Sequence, residues 1–205
     1  MTALIAGATG LVGSRVRALV PGAIPVGRRA TGVAGEVVAD FAALPPLPAA
    51  EVAICALGTT IRAAGSETAF RAVDHDAVLA FARAAQVAGV SRFIVVTAVG
   101  ADPASRVFYS RVKGEVERDL AALGFARLDI IRPGLILGPR DDRRPVEAVL
   151  QVIVPWLGPL LVGRLARYGG IPAEVVAGAI AVLADRVVSG RFVHENRALV
   201  ALAAA

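Results

Sequence analysis

The apolar positions of this chain fall into short, nearly continuous runs separated by longer stretches of helical period. Ala3-Leu4-Ile5-Ala6, Ala23-Ile24-Pro25-Val26, Glu36-Val37-Val38-Ala39, Val52-Ala53-Ile54-Cys55-Ala56, 92–97 and 127–132 have strand length. Continuous rather than alternating hydrophobicity marks strands covered on both faces, as in a parallel sheet. Between them, 11–19, 67–88, 109–123 and 171–186 repeat their apolar residues every three to four positions, and Gly89 stops the second stretch. The alternation predicts an α/β fold with a doubly wound parallel sheet, and Arg191-Phe192-Val193 adds a candidate edge strand. The Pro-rich stretch 44–48 reads as a crossover loop. No internal repeat appears, and 205 residues suit a single domain over 1–205.

The first run breaks into glycines spaced three apart, Gly7, Gly10 and Gly13, before the first helix. In a strand-turn-helix, Gly7 allows the turn, Gly10 lets a pyrophosphate approach the backbone, and Gly13 permits close helix packing. The helix start, with Leu11 and Val12, aims free N–H groups at an anion, and Thr9 adds a hydroxyl. This predicts a Rossmann-like dinucleotide site, although glycines also mark ordinary turns. At the end of the second strand, where such a site carries an acid for the NAD ribose, stand Arg28 and Arg29. Two guanidinium groups suit a 2′-phosphate, so NADP(H) is expected over NAD(H); the plain alternative is two solvated loop arginines. Asp40, at the third strand's end, lies beside the adenine or caps a loop. Leu57-Gly58-Thr59, after the fourth strand, and Pro133, after the sixth, complete the expected cofactor contacts.

Composition narrows the picture further. Hydrophobic residues make up 56% and charged residues 19%, as a sheet buried on both faces requires. The greasiest stretch, 149–162, is interrupted by Gln151, Pro155, Gly158 and Pro159 and falls short of the roughly 20 residues of a spanning helix. The N-terminus lacks a basic flank, so no signal peptide and a cytoplasmic address are expected. A formal charge of +5 is scattered without a basic run, which argues against nucleic acid. Cys55 is the only cysteine, and with only His75 and His194 beside it no metal cluster is expected. His75 reads as a helix-surface or capping residue. The charged 138–145 is a substrate rim or a solvated loop, and 140–170 reads as a substrate-side helical insertion. Its apolar pieces suit a pocket wall, core packing or a homodimer seam.

Of 22 Lys and Arg residues a single one is lysine, Lys113. Tyr109 precedes it by one helical turn, so phenol and ammonium share a face, where the cation favours the phenolate and suits Tyr109 to proton transfer. A surface Tyr and Lys on an amphipathic helix is the alternative, and Glu115 and Glu117 read as its solvated face.

With these motifs assembled, the chain resembles the atypical short-chain dehydrogenase/reductases, and among them the oxidoreductases similar to the human HIV Tat-interacting protein. The likeness rests on Cys55-Ala56-Leu57-Gly58-Thr59-Thr60, Val73-Asp74-His75-Asp76, Gly100-Ala101-Asp102, Tyr109 through Glu117, and Ile131-Arg132-Pro133-Gly134. It implies strand order 3-2-1-4-5-6, Tyr109 as acid/base, and Lys113 holding the ribose and lowering the tyrosine pKa. The family's catalytic serine aligns with Ala98, leaving Thr97 as the neighbouring hydroxyl. The implied function is NADP(H)-dependent hydride transfer to or from a small carbonyl or alcohol. A non-catalytic NADP(H)-binding regulator and, more distantly, a nucleotide-sugar epimerase or dehydratase are the alternatives.

Overall fold

The computed structural model describes residues 1–138 and 168–205. The expected insertion at 140–170 lies almost wholly outside them. The main sheet contains β1 (Ala3–Ala6), β2 (Ala23–Gly27), β3 (Val37–Val38), β4 (Val52–Cys55), β5 (Arg92–Val96), β6 (Arg127–Arg132) and β9 (Gly190–Glu195). Their order is β3-β2-β1-β4-β5-β6-β9, and every pairing is parallel. This is the doubly wound Rossmann-like order expected from the sequence, extended by one edge strand. A separate parallel pair joins β7 (Leu135–Leu137) to β8 (Gly170–Pro172).

Alternate strand residues feed two cores, which is why the apolar runs are continuous. On one face Ile5, Ile54, Ile94 and Ile131 pack with α1 (Leu11–Leu19) and α6 (Ala173–Ala184). On the other, Leu4, Ala53, Phe93 and Ile130 meet Phe81 of α4 (Ala77–Val87) and Val116 and Leu120 of α5 (Phe108–Ala122). The long helix expected over 67–88 is not uniform: α3 (Glu67–Arg71) and α4 are joined through a π-helical turn, Ala72–Asp76. A short α2 (Ile61–Ala64), capped by Thr60, and a C-terminal α7 (Asn196–Ala203) were not anticipated. Among the described residues buried charges have partners: Arg127 forks onto Asp129, with Nε 2.6 Å from Oδ2 and Nη2 2.9 Å from Oδ1.

Candidate nucleotide and proton-transfer site

The glycine turn closes as three separate constraints. Gly7 has φ +81°, and a Cβ there would lie 2.5 Å from the Ala56 carbonyl oxygen. A Cβ on Gly13 would come within 2.2 Å of the Gly7 carbonyl oxygen, so α1 rests directly on the turn. At Gly10 the nearest obstacle is 3.3 Å away, and Gly10 caps α1 without any side-chain hydrogen bond. The first-turn N–H groups therefore have no side-chain acceptor at the cap, a feature that fits an anion. Leu11 and Val12 turn their side chains into the core and can offer only backbone.

A cavity of about 470 Å³ opens over this turn, lined by Gly7, Thr9 and Gly10, by Arg28 and Arg29, and by Leu57, Gly58 and Thr59. Both arginines are exposed. Glu36 shares the lining, where it accepts hydrogen bonds from the Thr31 hydroxyl and N–H and from the Gly32 N–H. Those bonds, the Thr31 hydroxyl first, hold its carboxyl below the usual range. Asp40 is not among the lining residues. It caps a 3₁₀ turn by accepting the Ala42 N–H at 2.9 Å, so the loop-cap reading replaces the adenine one, and Phe41 lines the cavity instead. An open glycine cradle and a bare helix start fit a dinucleotide, with two cations at the far rim.

Lys113 and Tyr109 sit on α5, next to this cavity but not among its lining residues. Lys113 is buried, and its Nζ lies 2.7 Å from Oδ1 of the equally buried Asp74. Oδ1 receives no hydrogen bond of good angle; Oδ2 accepts the Thr59 N–H at 2.8 Å. A Cβ on Gly58 would fall 3.5 Å from Asp74 Oδ1 and 4.0 Å from Lys113 Nζ, so the loop after β4 covers the ion pair and also lines the nucleotide cavity. Burial alone would drive the ammonium pKa down, but the carboxylate of Asp74 and the neighbouring phenol hold it above the usual lysine value. Burial raises Asp74 despite the ammonium opposite.

Tyr109 is half-buried, its ring 5.5 Å from that of Phe70. Its pKa is raised: burial outweighs the pull of Lys113, and Asp74 adds to the rise. The expected lowering is thus corrected, because burial of the phenol outweighs the cation one turn away.

Thr97 is also corrected as a substrate-polarising hydroxyl. Its Oγ1 is buried and donates to Glu117 Oε1 at 2.6 Å, with the Ile131 carbonyl 3.3 Å away. Glu117, expected in solvent, is buried and accepts from Arg132 Nε at 3.0 Å. Glu115 is half-buried and receives a hydrogen bond from Arg71. His75 is likewise no surface residue: it is buried between Asp76, 2.7 Å from Nδ1, and Asp119, 2.9 Å from Nε2. Pro133 contributes its carbonyl, which accepts the Val99 N–H at 3.0 Å.

Sequence reasoning passed over three residues that shape the site. Asp74 shows no role in the sequence pattern, although a carboxylate within an apolar helix needs a partner. Gly114 lets the loop after β5 lie on α5, since a Cβ there would be 2.2 Å from the Asp102 carbonyl carbon and the Pro103 nitrogen. Asn196 accepts the Gly134 N–H and donates to the Gly169 carbonyl, both at 2.9 Å, and so ties the turn after β6 to the chain entering β8.

Sheet order and glycine cradle define a protein of Rossmann-like α/β fold, with the Tyr-x-x-x-Lys pair on α5 beside the cradle. Solved structures share this fold. MoeE5 in complex with UDP-glucose and NAD superposes with a TM-score of 0.70 at 17% identity, covering 100% of this chain and 81% of that one. Human epimerase family protein SDR39U1 with NADPH gives 0.66 at 17% identity, covering 94% and 72%. At such identity the likeness concerns the fold alone.

The chain belongs to the HIM1 family, whose profile matches residues 29–153. Among curated relatives, protein fmp52, mitochondrial, of Emericella nidulans is 38% identical over 156 residues, 68% of this chain and 66% of the relative. Protein FMP52, mitochondrial, of Coccidioides immitis is 40% identical over 118 residues, 54% and 48% of the two chains. The chain thus spans about half to two thirds of the relatives' length. Their mitochondrial names overturn the cytoplasmic address expected from the sequence. Among the described residues no helix is long and apolar enough to cross a membrane, and no cluster of His, Cys, Asp and Glu could hold a metal ion.

Proposed function

We propose that the chain is an NADP(H)-dependent oxidoreductase of the atypical short-chain dehydrogenase type, acting on a small carbonyl or alcohol. The likeness to Tat-interacting-protein-like oxidoreductases belongs to the same reading. The observation that carries it is the buried Lys113–Asp74 pair, covered by the Thr59 loop that also lines the glycine-turn cavity, one helical turn from Tyr109.

In this reading the N–H groups at the start of α1 and the Thr9 hydroxyl bind the pyrophosphate, and Arg28 and Arg29 hold the 2′-phosphate. Leu57, Gly58, Thr59 and Pro133 line the path of the nucleotide, and Lys113 hydrogen-bonds the ribose. A bound nicotinamide supplies or takes the hydride. Tyr109 holds the proton exchanged with the substrate oxygen. Burial keeps the Tyr109 phenol neutral, the form that holds the proton a carbonyl oxygen would receive in the reductive direction. The mitochondrial names of the relatives and the NAD- and NADPH-bound fold neighbours support the setting and the cofactor class.

Tyr109→Phe tests the reading: NADPH consumption over a panel of aldehydes, ketones and quinones should vanish while NADPH affinity by fluorescence titration holds. Undiminished turnover would end it. A second reading, a non-catalytic NADP(H)-binding regulator, is favoured by Ala98 at the expected serine and by the commitment of Thr97 to Glu117. It gains ground if the unaltered protein binds NADPH tightly yet reduces nothing in the panel.

A further inference from the structure

β9 closes one end of the sheet, and among the described residues no strand lies beyond it. The Gly190 N–H donates to the Ala126 carbonyl at 2.9 Å, which sets the phase of the ladder with β6. In a parallel strand alternate residues turn their backbone groups to the same neighbour. Gly190, Phe192 and His194 therefore face β6, while Arg191 and Val193 present N–H and C=O outward. Val193 is 47% exposed at mid-strand, and Val187 and Val188, leading into the strand, are 73% and 69% exposed. Val200 of α7, just beyond it, is 53% exposed. A six-residue edge of this kind is a template for another strand.

We propose that β9 pairs antiparallel with β9 of a second copy across a two-fold axis centred on Val193. The charges select both occupant and register. Side chains alternate, so Arg191, Val193 and Glu195 share one face and Phe192 and His194 the other. Centring on Val193 sets it opposite itself, Arg191 opposite Glu195 of the second copy, and Phe192 opposite His194 of the second copy. A slip of one residue either way loses both ion pairs and mismatches the faces. The backbone phase agrees with this register, because the outward-facing Val193 forms a reciprocal hydrogen-bonded pair at the axis. Glu195 already lies in register with Arg132 of β6, whose pKa it helps to raise, so in the dimer this carboxylate sits between two cations. Antiparallel order also carries Val187 and Val188 of each copy toward α7 of the other. A two-fold contact uses the β9 edge of both copies and closes on itself, whereas head-to-tail addition of β9 to the β3 edge of another copy would propagate.

Sedimentation equilibrium of the full chain tests the pairing, with circular dichroism melts checking that each variant folds. The unaltered protein should dimerise. Arg191→Glu and Glu195→Arg should each weaken association by roughly tenfold or more, because each sets two like-charged pairs at the axis. An equimolar mixture of the two variants should dimerise again, since each mixed pair restores opposite charges. If Glu195→Arg fails to fold, Val193→Lys gives the second readout, bringing two ammonium groups face to face and leaving monomers. A monomeric parent, single variants that associate like the parent, or a mixture that stays monomeric would overturn the proposal.

Discussion

Replacing Asp74 by Asn removes one charge from the sealed pair beneath the Thr59 loop while keeping the side chain's shape and an acceptor for the Thr59 N–H. The side chains of Lys113 and Asp74 are 5% and 0% exposed, so water cannot stand in for the lost carboxylate. Orphaning a buried charge typically costs about 3–5 kcal/mol. Lysine has an escape that bounds the cost, because the ammonium can release its proton. From an ordinary pKa near 10.4 that release costs about 4.6 kcal/mol at pH 7 and about 1.9 kcal/mol at pH 9. The sign follows from linkage. In the parent, Asp74 keeps the folded Lys113 pKa above its unfolded value, so the stabilisation is fully present below the unfolded pKa and lost as pH rises through the folded one. In Asp74→Asn burial outweighs the remaining pull of the Tyr109 phenol, and the folded pKa drops below the unfolded one. The unfolded chain then binds more protons between the two values, and the variant gains stability as pH rises there. Urea unfolding followed by far-ultraviolet circular dichroism at pH 7 and pH 9 measures both gaps. The expected deficit is about 3–4.6 kcal/mol at pH 7, shrinking to at most about 2 kcal/mol at pH 9. A deficit below about 1 kcal/mol at pH 7, or one that does not narrow, would refute the buried charged pair.

Arg28→Ala and Arg29→Ala should each weaken NADPH binding by about 10- to 100-fold, the loss of a charge-assisted hydrogen bond, and leave NADH binding unchanged in side-by-side titrations. Equal affinity of the unaltered protein for the two cofactors would refute the assignment of the arginines. Thr97→Val should cost about 1–2 kcal/mol in urea unfolding, from the bond lost to Glu117, while kcat per folded molecule stays near the parent's. A collapse of kcat would return Thr97 to the catalytic set. Reductive turnover should stay level from neutral pH to beyond the ordinary phenol range and fall only above it, because burial keeps Tyr109 protonated. A falling limb near neutral pH that Tyr109→Phe abolishes would contradict this.

The order of the sheet was readable because apolar runs and helical periods report burial, and burial is what parallel packing demands of each strand. The glycine cradle was readable for a similar reason, since Gly7 and Gly13 meet backbone atoms that tolerate no side chain. Side-chain pairing was the illegible part. Glu117 and His75 read as surface residues because a helical period records polarity and not partners, and their partners lie 15 or more positions away in Thr97, Arg132 and Asp119. The Tyr109 pKa was misjudged for the same reason. The lysine one turn along was visible, while the burial of the phenol against Phe70, with the Asp74 carboxylate adding to it, was not. The C-terminal α7 was hidden because it is a short Ala-rich tail, with Leu199 its one buried residue and Leu202 packed beside it.

The π-helical turn at 72–76 has an effect that reaches Tyr109. Its extra residue directs consecutive side chains, Asp74 and His75, at α5, where they engage Lys113 and Asp119, while Arg71 just before it takes Glu115. Three grips spread over seven residues, 113–119, stop α5 from rolling or sliding. The reach of the phenol is thereby fixed by the neighbouring helix, and removing a single residue from that turn would re-aim Tyr109 without touching it.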